Sequence, residues 1–424
     1  MNYTKKDLGS YGLHLIHTDK LKTITVRVMF MTPIIKEDIT KRILLSDILL
    51  QSTNKYESKR AMTIEAEELY SADIAINNQR LGNYIVTSFN LKVLEDHYTE
   101  EGNLEKALAF LSEIIFNPDI ENKSFKKEKL DIAKYNSVVS ISSIKEDASG
   151  YSLTRMTEAY DKDSPISYRM TGYLEDLEKA DEKNLYDTYT KMIDNDYVEI
   201  FTVGKYDNKE MISLIKKYFK FKKIKKPKAS YVLPIKKCRK RRLIAKETID
   251  NTQSKLAIAC PLEKMTPYQR DYPLVLANLL LGGNTESRLF QEVREKNSLC
   301  YTIHSFASKL DQLLIITAGI DKNNFEKTVD LIKKNLSELQ KGHFTEKEIE
   351  VAKSIYQTAL EEIEESDNRM IAEVLSEDIL GIDSIEGRME KMNYVKKQDI
   401  VKVLKKIHID TIFLLEGVKQ DEED

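Results

Sequence analysis

The sequence has few cysteines, no long hydrophobic run and almost no net charge, and each shortage excludes a class of protein. Cys238, Cys260 and Cys300 are few, odd in number and widely spaced, which suits a reducing cytoplasm and predicts no cysteine-bound metal cluster. No run approaches the roughly 18 apolar residues of a membrane-spanning helix, and the start of the chain lacks the apolar segment of a secretory signal. The net charge is -3, so nothing global favours nucleic acid or an anionic membrane. We therefore expect a cytoplasmic protein.

The chain has enough apolar residues for more than one core, and its two halves resemble each other. It has 424 residues, of which 41% are apolar, and this is enough for two or more domains. Residues 104–111 resemble residues 325–332, and residues 130–134 resemble residues 349–353 at nearly the same spacing. Two similar segments in register, offset by about half of the chain, predict a duplicated domain.

Both halves combine the two-residue period of strands with the longer period of helices. The predicted strands are residues 23–31, 85–93, 254–260 and 313–320. The predicted helices are residues 104–115, 120–139, 267–281, 286–296, 325–340 and 345–365. This mixture predicts an α+β fold of two tandem related domains, each an antiparallel sheet covered on one face by helices.

A basic segment separates the two halves. Residues 222–242 contain eleven Lys or Arg and no acidic residue, and Pro227 and Pro234 interrupt them. Such a run can bind nucleic acid, but no series of aromatic residues for base stacking accompanies it, so we interpret it as a solvated linker. The predicted limits are 1–225 for the N-terminal domain, 226–246 for the linker and 247–424 for the C-terminal domain.

The motif that carries most chemical information spans residues 287–301, Ser-Arg-Leu-Phe-Gln-Glu-Val-Arg-Glu-Lys-Asn-Ser-Leu-Cys-Tyr. It resembles the substrate-side motif of the pitrilysin/insulinase metallopeptidases, in which an Arg and a Tyr stand seven residues apart, here Arg294 and Tyr301. The resemblance implies that this pair holds the substrate carbonyl and stabilises the oxyanion, across a chamber from zinc. Spacing alone favours a plainer interpretation, in which Arg294 is an exposed helix charge and Tyr301 a core aromatic.

The local pattern around the motif predicts how the two side chains are placed. A helix followed by an alternating strand puts Tyr301 on the strand face shared by Leu299 and Ile303. Arg288, in the same motif, is expected to support the fold through a carboxylate partner.

The first half resembles the catalytic half of the same family, but it lacks the zinc motif. His-x-x-Glu-His occurs nowhere in the sequence. Alignment on the resemblance puts Ile43 in place of the first ligand, Ser46 in place of the general base and Asp47 in place of the second ligand. Tyr135 takes the place of the third ligand. We therefore predict no zinc ligands and no cofactor in this chain.

The histidines of the first half offer no substitute site. No histidine lies between His17 and His97, and His14 and His17 form a His-x-x-His pair within a predicted strand. The odd spacing places those two side chains on opposite faces. Without a Lewis acid to polarise the carbonyl and activate water, the chain should be inactive as a zinc peptidase by itself.

The resemblance covers nearly the whole chain and implies a half-shell of the small bacterial, two-chain branch of the family. It predicts the non-catalytic subunit of a heterodimeric zinc peptidase, with peptides as substrates and a zinc-bearing pitrilysin-like partner that holds the metal. An isolated homodimer is compatible with this prediction. Two alternatives stay open: a catalytically dead scaffold that binds peptide or protein, and an active zinc metallopeptidase with unrecognised ligands.

Overall fold

A computed structural model describes residues 2–224 and 226–418, and the chain divides into two compact units. The first unit takes residues up to 142, 169–230 and 362–375, and the second takes 143–168, 231–361 and the residues from 376 onward. Each unit therefore draws on both halves of the sequence. No helix among the described residues is long and apolar enough to cross a membrane.

Strands and helices alternate along the chain in the α+β manner that the sequence predicts. The strands are β1 (Asn2–Asp7), β2 (Gly12–His17), β3 (Thr23–Pro33), β4 (Asp73–Leu81), β5 (Tyr84–Leu94), β6 (Ile120–Glu121), β7 (Ser124–Phe125), β8 (Tyr197–Gly204), β9 (Leu243–Ile249), β10 (Ser254–Pro261), β11 (Cys300–Ser308), β12 (Leu313–Ile320) and β13 (Thr411–Gly417). The α-helices are α1 (Lys36–Leu49), α2 (Lys59–Glu68), α3 (Asn103–Phe116), α4 (Lys127–Ser142), α5 (Ala148–Asp161), α6 (Leu174–Leu177), α7 (Glu182–Asn195), α8 (Asn208–Tyr218), α9 (Pro267–Asp271), α10 (Pro273–Leu281), α11 (Phe325–Gln340), α12 (Glu346–Glu361), α13 (Asp367–Leu380), α14 (Ile385–Asn393) and α15 (Lys397–Leu404).

The two main sheets repeat one topology. The first unit has the strand order β1-β2-β8-β3-β5-β4, and the second has β9-β13-β10-β12-β11 when read from β9. Each sheet has one parallel pair, β2 with β8 in the first unit and β9 with β13 in the second. All the other strand pairs of the two sheets are antiparallel. The five-strand pattern is therefore present twice, as the duplicated segments predict. The first unit differs by one additional edge strand, β1.

Amphipathic helices pack on each sheet and form the cores. In α11 the apolar residues Val329, Ile332, Leu336 and Leu339 recur at helical spacing and are buried in the core of the second unit. In α3 the residues Leu104, Leu108, Leu111 and Ile115 do the same in the first unit. Both helices occupy the segments that periodicity predicts, because one apolar face on each must be removed from water.

The predicted helices 120–139 and 267–281 differ from the observed elements. Residues 120–125 form the short hairpin β6–β7, and α4 begins only at Lys127. The hairpin turn at Asn122 and Lys123 has φ of 50° and 60°, the left-handed conformation of a tight two-residue turn. The predicted helix 267–281 is divided between α9 and α10 at Tyr272, since Pro273 has no N–H to continue the hydrogen-bond ladder.

Candidate functional site

The motif helix follows a tight turn at the end of α10. The side-chain oxygen of Asn284 accepts a hydrogen bond from the Glu286 amide at 2.7 Å, and the helix begins at Arg288, two residues later than predicted. From Phe290 to Lys296 it is π-helical, a form often found at functional sites. Leu289 and Val293 are fully buried, so they anchor this helix in the second unit.

Arg294 lies on the outer side of this helix, with 43% of its side chain exposed. Its guanidinium stacks on the ring of Phe290 at 4.6 Å, and its Nε is 3.7 Å from a carboxylate oxygen of Glu295. Stacking orients the plane of the guanidinium while its N–H groups stay available at the edge of that plane. The side chain is therefore a positioned cation that can still donate hydrogen bonds.

Tyr301 lies on β11, but its direction differs from the prediction. Cys300 pairs with Ile320 and Thr302 pairs with Gly319, so Tyr301 is the extra residue of a β-bulge. Its side chain is 70% exposed, whereas Ile303 is buried. The prediction that Tyr301 shares a face with Ile303 is therefore wrong, because the bulge breaks the alternation. The plainer interpretation of Tyr301 as a core aromatic is wrong for the same reason.

Arg294 and Tyr301 line one surface pocket of about 690 Å³ in the second unit. The other lining residues are Glu295, Ser298, Leu299, Cys300, Asp321, Asn323 and Asn324. Burial raises the pKa of the Cys300 thiol to about 11, and the charge of Arg294 opposes this rise only in part. The thiol is thus protonated at neutral pH and is a poor nucleophile. The pocket offers a ligand the guanidinium of Arg294 and the phenol of Tyr301. Its lining also carries two carboxylates: that of Glu295, 3.7 Å from Nε of Arg294, and that of Asp321, which accepts a hydrogen bond from the Asn323 amide at 2.8 Å.

Arg288 has the structural role that the sequence predicts. Its Nη2 lies 2.8 Å from Oε1 of Glu348 on α12 and 3.1 Å from the carbonyl oxygen of His343. Burial acts to raise the pKa of Glu348, but hydrogen bonds from Arg288 and Thr345 outweigh it, so the pKa is lowered. Arg288 therefore ties the motif helix to α12.

The residues that align with the zinc motif lie together in the first unit but do not form a zinc site. Ile43, Ser46 and Asp47 follow one another at helical spacing on α1, which packs against α4. Ile43 has no ligand atom, Ser46 offers a hydroxyl and Asp47 a carboxylate, so the three residues lack the nitrogen donors of a zinc site. Tyr135, in the place of the third ligand, is on α4 and is 70% exposed. Zinc does not fit these residues.

The polar atoms at this position are already engaged within the protein. The two carboxylate oxygens of Asp47 accept hydrogen bonds from Asn136 at 2.8 Å and from Gln51 at 2.7 Å. The hydroxyl of Ser46 accepts one from Asn78 at 2.7 Å and donates to the carbonyl of Arg42 at 2.9 Å. These bonds join α1 to α4 and to β4, which is a structural role.

The histidines of β2 do not converge either. The imidazole of His14 is buried, with Nε2 3.0 Å from Glu199 and Nδ1 2.8 Å from the Tyr3 hydroxyl. His17 instead contacts Asn208 at 2.7 Å. Within neither unit do the described residues bring together three His, Cys, Asp or Glu side chains that could hold a metal ion.

Two features of the site were missed at the level of sequence. One is the contact of Phe290 with Arg294; the position of Phe290 four residues earlier on a helix was the available signal. The bulge at Tyr301 had no such signal, because it exists only in the pairing of β11 with β12.

Comparison with known proteins agrees with the fold. The sequence model described as "Peptidase M16 inactive domain" matches residues 179–356. A probable inactive metalloprotease of Bacillus subtilis, YmfF, is 28% identical over 423 residues, which cover 99% of each chain. The crystal structure of a conserved protein from Enterococcus faecalis superposes with a TM-score of 0.88 at 27% identity and covers all of both chains.

A more distant structure shows the same fold. The peptidase M16 inactive domain from Pseudomonas fluorescens superposes with a TM-score of 0.79 at 17% identity, over 99% of both chains. The superposition therefore extends over the whole fold. Residues 179–356 thus match the inactive domain of the M16 peptidases, and the whole chain is similar to a probable inactive metalloprotease and has the pitrilysin-like fold.

Proposed function

We propose that this chain is the non-catalytic subunit of a two-chain cytoplasmic zinc peptidase and that it contributes substrate binding through Arg294 and Tyr301. The observation that carries the proposal is that both side chains line one pocket and neither is committed to the core. The bulge that turns Tyr301 outward is a device typical of sites where a side chain must be aimed.

The chemistry expected of the pair is electrostatic. A peptide carbonyl in the pocket would accept hydrogen bonds from the guanidinium of Arg294 and the hydroxyl of Tyr301. As negative charge develops on that oxygen during hydrolysis, a fixed cation and a phenol donor stabilise it more than they stabilise the ground state. A zinc-bearing partner would supply the metal that polarises the carbonyl and activates water.

The principal alternative is a scaffold that has the peptidase fold and binds peptide or protein without taking part in chemistry. The engaged side chains of Ser46 and Asp47 suit both functions equally. Only the role of the pocket separates them. If replacement of Arg294 and Tyr301 left the peptidase activity of the assembly unchanged, this chain would be the scaffold.

The test begins with affinity isolation of the tagged chain from its native cytosol and identification of stoichiometric partners by mass spectrometry. We expect a protein of similar size that carries His-x-x-Glu-His. Peptidase activity is then measured for that partner alone and with wild-type or Arg294→Ala chain. Lys296→Ala is the matched control, since Lys296 is on the same helix, is mostly exposed and pairs only with Glu292 at 2.6 Å in the described structure.

Three outcomes are distinguishable. Activity that requires this chain and falls with Arg294→Ala but not with Lys296→Ala supports the proposal. A complex whose activity is equal with all three proteins favours the scaffold. Recovery of the chain without any zinc-motif partner contradicts the two-chain peptidase.

A further inference from the structure

The repeated sheets differ at one edge. In the first unit, β2 has an outer neighbour, because the six residues of β1 pair with it in antiparallel register from Asn2 opposite His17 to Asp7 opposite Gly12. In the second unit, β9 takes the place of β2, and among the described residues it pairs only with β13. Among the described residues, no strand of the second sheet occupies the position that β1 occupies in the first sheet.

The backbone of β9 shows which groups are left open. The Leu243 amide donates to the Asp410 carbonyl at 2.9 Å, and the Ile249 carbonyl accepts from the Val418 amide at 3.0 Å, so these residues direct their backbone toward β13. Successive residues of a strand direct their N–H and C=O groups to opposite sides. Ile244, Lys246 and Thr248 therefore direct theirs to the outer edge, where an extended chain can bind.

The open edge begins at a cationic groove, which is a cavity of about 720 Å³ in the second unit. Its basic lining residues are Arg239, Lys240, Arg241, Arg242, Lys333 and His408. Arg239 is paired with Asp410, Lys333 with Asp330 and His408 with Glu263. Lys240, Arg241 and Arg242 are exposed and form no ion pair in the part of the chain that the structure describes.

The side chains of β9 extend this chemistry along the strand. Ile244 is 55% exposed and also lines the groove, and Lys246 is exposed with its ammonium 4.8 Å from the Phe325 ring. On the opposite face of the strand, Glu247 is engaged by Tyr151 at 2.6 Å and Arg155 at 2.7 Å. The exposed face of β9 thus presents one apolar side chain, Ile244, and one cationic side chain, Lys246. The three cations Lys240, Arg241 and Arg242 lie just before the N-terminal end of the strand.

We propose that the outer edge of β9 binds an extended acidic segment of a partner protein as an antiparallel strand, with the acidic C-terminal end of that segment in the cationic groove. Antiparallel pairing places the C-terminal end of the segment beside the N-terminal end of β9, where Lys240, Arg241 and Arg242 lie. An acidic side chain opposite Lys246 and an apolar one opposite Ile244 complete the match. This inference does not depend on the proposed function.

Other occupants fit less well. Pairing of β9 with a second copy of itself, centred on Lys246, sets two ammonium groups opposite each other. Nucleic acid would use the cations but not the open backbone groups, and no Phe or Tyr among the described residues lines the groove for stacking.

The test uses the full chain and the fluorescein-labelled peptide Thr-Val-Glu-Val-Val-Glu-Glu-Glu, with binding followed by fluorescence anisotropy at several salt concentrations. With the third residue of the peptide opposite Lys246, its fifth residue is a valine opposite Ile244 and its last three residues reach the cationic groove. Two further peptides carry N-methyl groups on alternate residues, one on each edge of the extended peptide. We expect one of the two to bind about tenfold more weakly than the parent and the other to bind like it, because only one edge faces β9. Equal affinity of all three peptides would mean attraction by charge alone and would overturn the proposal.

Protein variants provide the second arm. The double variant Arg241→Glu with Arg242→Glu should weaken binding about tenfold or more, and Lys347→Glu, a single charge reversal at an exposed position of α12, should not. Thr248→Pro removes an outward N–H at an edge where proline is tolerated, and it should weaken binding with the melting temperature retained. Unchanged binding by the double variant and by Thr248→Pro overturns the proposal.

Two competing occupants are tested in the same assay. A single-stranded oligonucleotide that binds as tightly as the peptide, with equal sensitivity to the double variant, would replace the peptide proposal with a nucleic-acid site. A chain that binds the peptide only after residues 419–424 are removed would assign the groove to the acidic end of the chain itself.

Discussion

The guanidinium of Arg294 stacks on the ring of Phe290, which stands four residues earlier on the same π-helical segment. This contact explains how an arginine with 43% of its side chain exposed can keep one orientation. Lysine has a flexible stem and a point charge, so it can reproduce neither the stacking nor the planar fork.

Replacement of Arg294 by lysine should therefore fail to preserve function in the assembled peptidase. We expect kcat/KM to fall by about 100-fold, the usual scale for removing one donor to a developing oxyanion. Phe290→Leu, which removes only the support, should cost several-fold less than Arg294→Lys. Steady-state kinetics of the reconstituted complex measure both, and wild-type activity with Arg294→Lys would show that charge alone suffices.

Tyr301→Phe should separate function from stability. Because the side chain is 70% exposed at a bulge, the free energy of unfolding should change by no more than about 0.5 kcal/mol. Loss of the hydroxyl should lower kcat/KM of the complex by about tenfold or more. Denaturant unfolding of the isolated chain and kinetics of the complex give the two values. A large loss of stability would instead indicate that the ring belongs to the core.

The isolated chain should bind no zinc at the position of the absent motif. Ile43 and Ser46 cannot replace histidine and glutamate, and Asp47 is held by Asn136 and Gln51. Elemental analysis of the purified chain should find far less than one zinc per chain, and chelators should leave its melting temperature unchanged. One tightly held zinc together with chelator-sensitive peptide cleavage would revive the active metallopeptidase with unrecognised ligands.

The Arg288–Glu348 contact should contribute to stability in a pH-dependent way. The folded pKa of Glu348 lies below its ordinary value of 4.5, so its contribution is present above that pH and is lost as the pH falls through the folded pKa. Arg288→Gln should cost up to about 1 kcal/mol at neutral pH, since the pair is partly exposed. The difference from wild type should shrink toward pH 3 in denaturant titrations, and a difference independent of pH would contradict this origin.

Gly12→Ala should be among the more costly single-methyl additions in this chain. A Cβ at Gly12 would lie 1.9 Å from an oxygen of Glu199, whose carboxylate is held by His14 and by Tyr197 at 2.7 Å. We expect a loss of about 1–3 kcal/mol, typical of overpacking. Gly387→Ala in α14, where the nearest atom is 3.3 Å away, is the control and should be nearly neutral. Equal melting temperatures for both variants would show that Glu199 can move.

Sequence periodicity was most informative where one element buries one face. The helix predicted for residues 325–340 has the observed bounds of α11, because Val329, Ile332, Leu336 and Leu339 must all face the core. The strands β3, β5, β10 and β12 were also located to within a few residues, although each is buried on both faces along most of its length. Whether each of these segments is a helix or a strand is determined locally, because the spacing of its apolar residues already indicates which of the two it forms.

Features that depend on pairing or on backbone conformation were not accessible in this way. The turn at Asn122 and Lys123 requires positive φ at two non-glycine residues, which the helical spacing of neighbouring apolar residues conceals. Resemblance identified Arg294 and Tyr301, but their common pocket depends on a bulge between two strands. The open edge of β9 became visible only when the two sheets could be compared strand by strand.

Tyr301 has no partner of its own in the pairing of β11 with β12, because Cys300 and Thr302 on either side of it pair with adjacent residues of β12. Removing it would leave two consecutive ladder positions and an uninterrupted strand. The aromatic group is in this sense an insertion into a sheet that is already complete. Insertion or deletion of one residue during evolution would therefore add or remove this aromatic side chain at the site, while the pairing of β11 with β12 stays intact.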